Sequence, residues 1–162
     1  MDQRPIGIFD SGVGGLSAVR VLLDQAPEEN IAYFGDTARV PYGNRSRAEI
    51  TTLSLQDVRF LQSRKPKAIL IACNTITASC LEDLRQANPA TPILGVIEAA
   101  ALAAAQATTN RRIGIMATQA TVESGAYERA LRAQIPDVKI FAKSCPGLVP
   151  LIEAGHICPG GR

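Results

Sequence analysis

PIGIFDSGVGGLSAV, residues 5–19, decides the architecture. An apolar run from Pro5 to Phe9 meets a carboxylate at Asp10. A turn carrying Gly12, Gly14 and Gly15 follows, and then Leu16, Val19 and Leu23 recur at helical spacing. This reads as a strand, a tight turn and a helix that ends before Pro27. The alternation continues along the chain. Ile31 to Phe34, Ala68 to Cys73, Ile93 to Ile97, Ile113 to Ala117 and Val138 to Ala142 are further expected strands, with five helical stretches between the six. Ser46 is placed to cap the second helix, with Glu49 as its third residue, and that helix is expected to reach Arg64. Apolar strands separated by helices predict burial on both strand faces, right-handed βαβ crossovers and a parallel sheet, so the fold class is α/β.

The composition agrees with a soluble globular chain: 162 residues, 46% hydrophobic and 20% charged, which excludes disordered and fibrous classes. Seventeen Lys and Arg against 15 Asp and Glu give a net charge of +2, and the basic residues are scattered, so nothing marks a nucleic-acid surface. With no Trp, four Phe and three Tyr, material for base stacking is scarce. The longest apolar stretch, Ile93 to Ala107, is too short for a membrane span and is interrupted by Glu98 and Gln106. Asp2 and Arg4 precede only a short apolar run, unlike a signal peptide, so a cytoplasmic location is expected. Cys73, Cys80, Cys145 and Cys158 form no C-x-x-C pair, and free thiols are expected. The Ala-rich segment after Glu98 suggests a boundary, with a first lobe over 1–97 and a second, partial lobe over 98–162.

Parallel sheets bind ligands beyond the carboxyl ends of their strands. There the chain sets Asp10 and Ser11, Asp36, Cys73 to Thr75, Glu98, and Thr118 with Thr121. The turn amides near Gly12, Gly14 and Gly15 suit a carboxylate or phosphate at a helix N-terminus; a plain tight turn is the alternative. A dinucleotide site is a near miss, because Ser17 stands where a third glycine belongs, although Asp36 stands where a ribose-binding acid would sit. Cys73 closes an apolar strand ahead of Asn74 and Thr75. A thiol in that turn is expected to face the cleft with its pKa lowered from about 8.5 toward neutrality by the helix start; the alternative is a buried, inert cysteine. Cys80 lies two helical turns further on and reads as packing, while Cys145 and Cys158 read as loop thiols. Glu153 follows the apolar run Leu148 to Ile152 and is either a site carboxylate or a solvated charge. His156 is the single histidine and has no patterned partner, so no metal site is expected. Neither a G-x-S-x-G elbow around Ser11 nor a Walker-type loop occurs.

Five segments occur in register with one family: IGIFDSGVGGLS (6–17), YFGDTARVPYGNRS (33–46), ACNTITA (72–78), GVIEAA (95–100) and LVPLIEAG (148–155). Together they closely resemble the amino-terminal portion of bacterial glutamate racemases. The resemblance implies flavodoxin-like lobes with a site between them, and cofactor-independent interconversion of L- and D-glutamate for peptidoglycan. Carried over position by position, Cys73 is a catalytic thiolate and Asp10 its neighbouring carboxylate. Asp10, Ser11, Tyr42, Gly43, Asn74 and Thr75 are substrate contacts, and Thr118, Thr121 and Glu153 face the same cleft.

The family's second catalytic cysteine sits in a Cys-Thr-His segment beyond the LVPLIEAG stretch, and no such segment occurs in this sequence. The expectation is therefore poor racemisation by this chain alone, with uncovered edges that favour homo-oligomers. Ile76, where alanine is common, and Ala99, where proline is common, are smaller departures. Competing readings are an inactive glutamate-binding fragment, an aspartate racemase and a nucleotide-binding domain.

Overall fold

The structure, a computed structural model, describes residues 2–155. Strands and helices alternate as β1 (Ile6–Asp10), α1 (Leu16–Gln25), β2 (Ile31–Gly35), α2 (Arg47–Gln62), β3 (Ala68–Ile71), α3 (Asn74–Ala87), β4 (Ile93–Gly95) and α4 (Ile97–Ala107). They continue as β5 (Arg112–Ala117), α5 (Gln119–Glu123), α6 (Ala126–Gln134), β6 (Lys139–Ser144) and α7 (Leu148–Glu153). All pairings are parallel: a four-stranded sheet in the order β2-β1-β3-β4, and a separate pair, β5-β6. The chain leaves β1 on one side to form β2 and returns on the other to form β3. This is the flavodoxin-like order expected, and it opens a crevice beyond the ends of β1 and β3.

Local chemistry explains the elements. Ser46 accepts the Glu49 N–H while the Glu49 carboxylate accepts the Ser46 N–H, a complete capping box that starts α2 where the sequence predicts. Phe9, Ile69 and Ile71 of the sheet pack against Ile50, Val58 and Leu61 of α2 and Ile76 and Leu84 of α3. Each such buried side chain contributes about 1.5–3 kcal/mol. A second, smaller cluster joins Ala101 of α4, Leu131 of α6 and Val138.

Several expectations need correction. The apolar stripe of α1 does not face a core: Leu16 and Leu23 are half exposed and no α1 residue is buried. The β5-β6 pair is not buried on both faces: β5 residues alternate between half-buried and exposed, with Met116 71% exposed, and Phe141 to Lys143 of β6 are all exposed. Strand β3 stops at Ile71, two residues before Cys73, because α3 begins at Asn74; β4 stops at Gly95 because Ile97 already belongs to α4. The helical stretch between β5 and β6 is split at Gly125, whose φ of 63° breaks the α-helical path, and the run Leu148 to Ile152 forms part of α7. Helix α3 is itself irregular at Cys80 (φ −148°, ψ 18°), whose thiol donates to the Ile76 carbonyl at 3.5 Å inside the first core.

Candidate active site

Asp10 is the last residue of β1, and its buried carboxylate turns back into the glycine turn. Oδ2 accepts the main-chain N–H of Gly15 at 2.9 Å and of Gly12 at 3.3 Å. The next amide, Val13 N–H, donates to Glu153 Oε1 at 3.1 Å. These amides were the expected cradle for a ligand anion, and the chain's own carboxylates occupy them instead. The reason is proximity: Asp10 precedes the turn and α7 delivers Glu153 to its open side. Gly35 has no room for a side chain, since a Cβ there would strike the Gly12 carbonyl. The Tyr33 hydroxyl donates to that same carbonyl at 2.9 Å, and burial, with the nearby charges of Asp10 and Glu153, pushes its pKa up to about 12.

Beyond the end of β3, Cys73 precedes the first residue of α3, and its Sγ lies 3.3 Å from Ser11 Oγ. The expected exposed, acidified thiol is not what forms. Cys73 is buried, and burial above all pushes its pKa up; the Asp10 charge pushes the same way. Hydrogen bonding from the Ser11 hydroxyl and from the main chain of Ile76 and Ser11 offsets only part of this. A thiol in this environment holds its proton, which suits it to deliver a proton before it can take one.

The opposite wall comes from the β5 side. Thr118 caps α5, and its Oγ1 lies 2.9 Å from both Thr75 Oγ1 and Thr121 Oγ1, forming a cluster of three hydroxyls. Gly43 packs directly on it: a Cβ there would lie 2.6 Å from Thr118 Cβ, and the Gly43 carbonyl accepts the Ala120 N–H at 3.1 Å. Asn74 Oδ1 accepts the Tyr127 hydroxyl at 2.6 Å. Asp10, Ser11 and Cys73 thus gather at one end of the crevice with Glu153, and Gly43, Asn74, Thr75, Thr118 and Thr121 at the other.

Tyr42 departs from expectation in its side chain. The phenol is fully buried and donates to Asp36 Oδ2 at 2.5 Å, with Asp57 Oδ2 at 3.1 Å, so its hydroxyl is engaged by these two carboxyls. Asp36 is tied up in the same contacts, which removes the ribose-binding acid a dinucleotide site would need. Tyr33, Arg39, Asp57 and Tyr127 were missed by sequence reading. A carboxyl at position 57 among Ser54, Val58 and Leu61, all on the buried face of α2, was the one available signal.

A cavity of about 740 Å³ lies elsewhere, between α3 and the α5–α6 turn, lined by Arg47, Cys80, Glu98, Glu123 and Arg129 among others. Volume alone favours it, but its charges are mixed and it holds none of the clustered groups at the strand ends. Cys145 is half buried, while His156 and Cys158 lie outside the described residues. Among the described residues no group of three His, Cys, Asp or Glu could hold a metal ion, and no helix is long and apolar enough to cross a membrane.

Residues 14–157 match the model of the Asp/Glu/Hydantoin racemase family. The chain belongs to that family. This racemase-family chain is 52% identical over 155 residues to the glutamate racemase of Neisseria meningitidis, covering 96% of this chain and 57% of the relative. It is 46% identical to that of Chlorobaculum tepidum, with the same coverage. Among solved structures, the Francisella tularensis glutamate racemase in complex with D-glutamate superposes with a TM-score of 0.90 at 39% identity, covering 100% of this chain and 60% of that one. The Aquifex pyrophilus glutamate racemase gives 0.84 at 42% identity, covering 96% and 61%. The chain therefore spans somewhat over half the length of the relatives it matches.

Proposed function

We propose that the protein is a glutamate racemase that interconverts L- and D-glutamate without a cofactor and supplies D-glutamate for peptidoglycan. The observation that carries this reading is the buried Cys73 thiol at the β1/β3 crevice, 3.3 Å from the Ser11 hydroxyl and under the charge of Asp10. Racemisation needs a group on each face of Cα, one to take a proton and one to supply one, with donors placed to receive the charge that develops on the α-carboxylate. Cys73 is the proton carrier on one face, and Asp10 beside it biases the thiol toward its protonated form. Ser11, Asn74, Thr75, Thr118 and Thr121 supply hydroxyl and amide donors, Tyr42 and Gly43 contribute main chain, and Glu153 orders the glycine turn. The names of the relatives support glutamate over aspartate as substrate.

The two sheets, each with its own core, support a division into lobes over 1–97 and 98–162. The three described cysteines are unpaired, which supports work in the reducing cytoplasm. Self-association of copies through the exposed apolar faces of α1 and β5-β6 completes the reading. The test is α-hydrogen exchange from D- and L-glutamate in deuterated water, followed by mass spectrometry. Exchange that disappears in Cys73→Ser supports the reading. Binding of glutamate with no exchange by the unaltered chain overturns it in favour of a binding role, and faster exchange from aspartate overturns the substrate.

A further inference from the structure

Under the Pro41-Tyr42-Gly43 segment lies a closed ring of polar groups. Arg39 Nε contacts Asp36 Oδ2 at 2.6 Å, and its terminal nitrogen contacts Asp57 Oδ1 at 2.5 Å. Tyr42 Oη sits between the two carboxyls, 2.5 Å from Asp36 Oδ2 and 3.1 Å from Asp57 Oδ2. Tyr42, Asp36 and Asp57 are all buried. The other groups facing the ring are Gln56, which accepts from Arg39, and Arg45, whose guanidinium lies over the Tyr42 ring and donates to the Arg39 carbonyl.

A phenol has one proton and cannot donate to two carboxylates at once. Asp36 Oδ2 already receives both Arg39 Nε and, at the shorter distance, the Tyr42 hydroxyl. Because Arg39 Nε and the shorter phenol contact both fall on Asp36 Oδ2, Asp36 reads as the ionised acceptor, and a proton on Asp57 donated to Oη closes the longer gap between Tyr42 Oη and Asp57 Oδ2. Arg39 donates to Oδ1 of the same carboxyl. Every donor within the ring then has an acceptor, whereas two ionised carboxylates on one phenol would set like charges side by side where both are buried. Burial, with the charge of Asp36, pushes the Asp57 carboxyl up in pKa, in the same direction.

We infer that Asp57 is a positioning residue: a neutral carboxylic acid that, through Tyr42, locks the Gly43 main chain against Thr118 and Ala120. The Gly43 carbonyl that accepts the Ala120 N–H follows Tyr42 directly, so tilting the phenol moves one of the contacts that join the two walls of the crevice. This inference rests on the proposed glutamate site for its functional consequence, but not for its proton.

Three readouts test it: the infrared carbonyl band of a protonated carboxyl, amide hydrogen exchange at Ala120, and D-glutamate affinity by calorimetry. An asparagine in place of Asp57 imitates a neutral acid, since its amide donates to Oη and accepts from Arg39. Wild type is expected to show the protonated-carboxyl band at neutral pH and Asp57→Asn to lack it. Asp57→Asn is expected to rescue the slow Ala120 exchange and the affinity that Asp57→Ala loses, the loss being about tenfold for a buried group left unpaired. A spectrum with no band that Asp57→Asn removes, or an Asp57→Asn variant as damaged as Asp57→Ala, overturns the inference even if Asp57→Ala does not fold. If wild type fails to bind glutamate, the functional proposal falls, while the band and the Ala120 exchange still decide the place of the proton.

Discussion

Glu153 and Val13 stand 140 residues apart in sequence, yet Glu153 Oε1 accepts the Val13 main-chain N–H at 3.1 Å. Gly12 makes the approach possible, since a Cβ there would collide with the Glu153 carboxylate. This one bond ties the turn after β1 to α7, near the end of the described chain.

Removing it is expected to cost about 1 kcal/mol, the usual net value of a hydrogen bond to a partly exposed acceptor. Glu153→Ala should show that loss in urea unfolding, and Glu153→Gln, which keeps an acceptor, less than half of it. Gly12→Ala should behave like Glu153→Ala because it expels the carboxylate. A Glu153→Ala variant as stable as wild type would show that α7 does not hold the turn.

The cysteines should label in order of access. Cys145 is the most accessible of the three described, and iodoacetamide at neutral pH is expected to modify it first; Cys73 and Cys80, buried and with raised pKa values, should react slowly. Labelling of Cys73 should accelerate as pH climbs past the ordinary thiol range. Asp10→Asn should speed it at a given pH, by roughly tenfold per unit of pKa lowered, because a like charge is removed. Mass mapping of the adducts checks both points, and fast labelling of Cys73 at neutral pH would contradict the burial.

Gly43 admits no side chain. An added Cβ would lie 2.6 Å from both Cβ and Cγ2 of Thr118, which is held in its own cap and hydroxyl contacts. Gly43→Ala is expected to lose about 1–3 kcal/mol, as for other overpacked sites. Thr118→Ser in the same chain should return only part of it, because the Cβ of residue 118 remains. Thermal unfolding of the single and double variants measures the difference, and a Gly43→Ala chain of unchanged stability would mean that the walls meet less closely.

Stability should carry an unusual acid signature from Asp57. Its carboxyl titrates higher in the folded chain than when unfolded, so its contribution is full below the ordinary carboxylate range, near ~3.9, and is lost as pH rises through the folded value. That is opposite in sign to a salt-bridged Asp. Asp57→Asn is expected to flatten the fall in unfolding free energy above that range, which denaturant titrations at a series of pH values would reveal. An unchanged pH profile would place the proton elsewhere.

Much of this architecture was legible in residues 5–19 and in the spacing of the later apolar runs, because strand and helix periods are local properties. Ser46 and Glu49 announced α2, and the turn residues at Asp10, Ser11 and Cys73 marked the crevice. What failed to show was environment. Leu16 and Leu23 have the spacing of a buried stripe, but only tertiary contact decides whether a stripe is covered, and here it is not. Cys73 sits at a helix start that lowers a thiol pKa in isolation, yet desolvation and Asp10 outweigh that effect. Tyr42 carries a family signature whose phenol points away from the crevice, toward an Asp57 that no motif marks.

The crevice walls meet through polar groups: Thr75 with Thr118, Gly43 with Ala120, and Asn74 with Tyr127. The apolar side chains gather instead in two separate clusters, with Ala120 alone of α5 reaching the first. Such a seam can part like a zip fastener whose teeth are wetted as they separate. Each bond exchanged for one to water costs about 0.5–1.5 kcal/mol, and of the apolar side chains on α5 only Ala120 leaves a core cluster. Admission of a small charged guest would then require no melting of either half, and amide exchange should find Ala120 opening long before the strands beside Ile71.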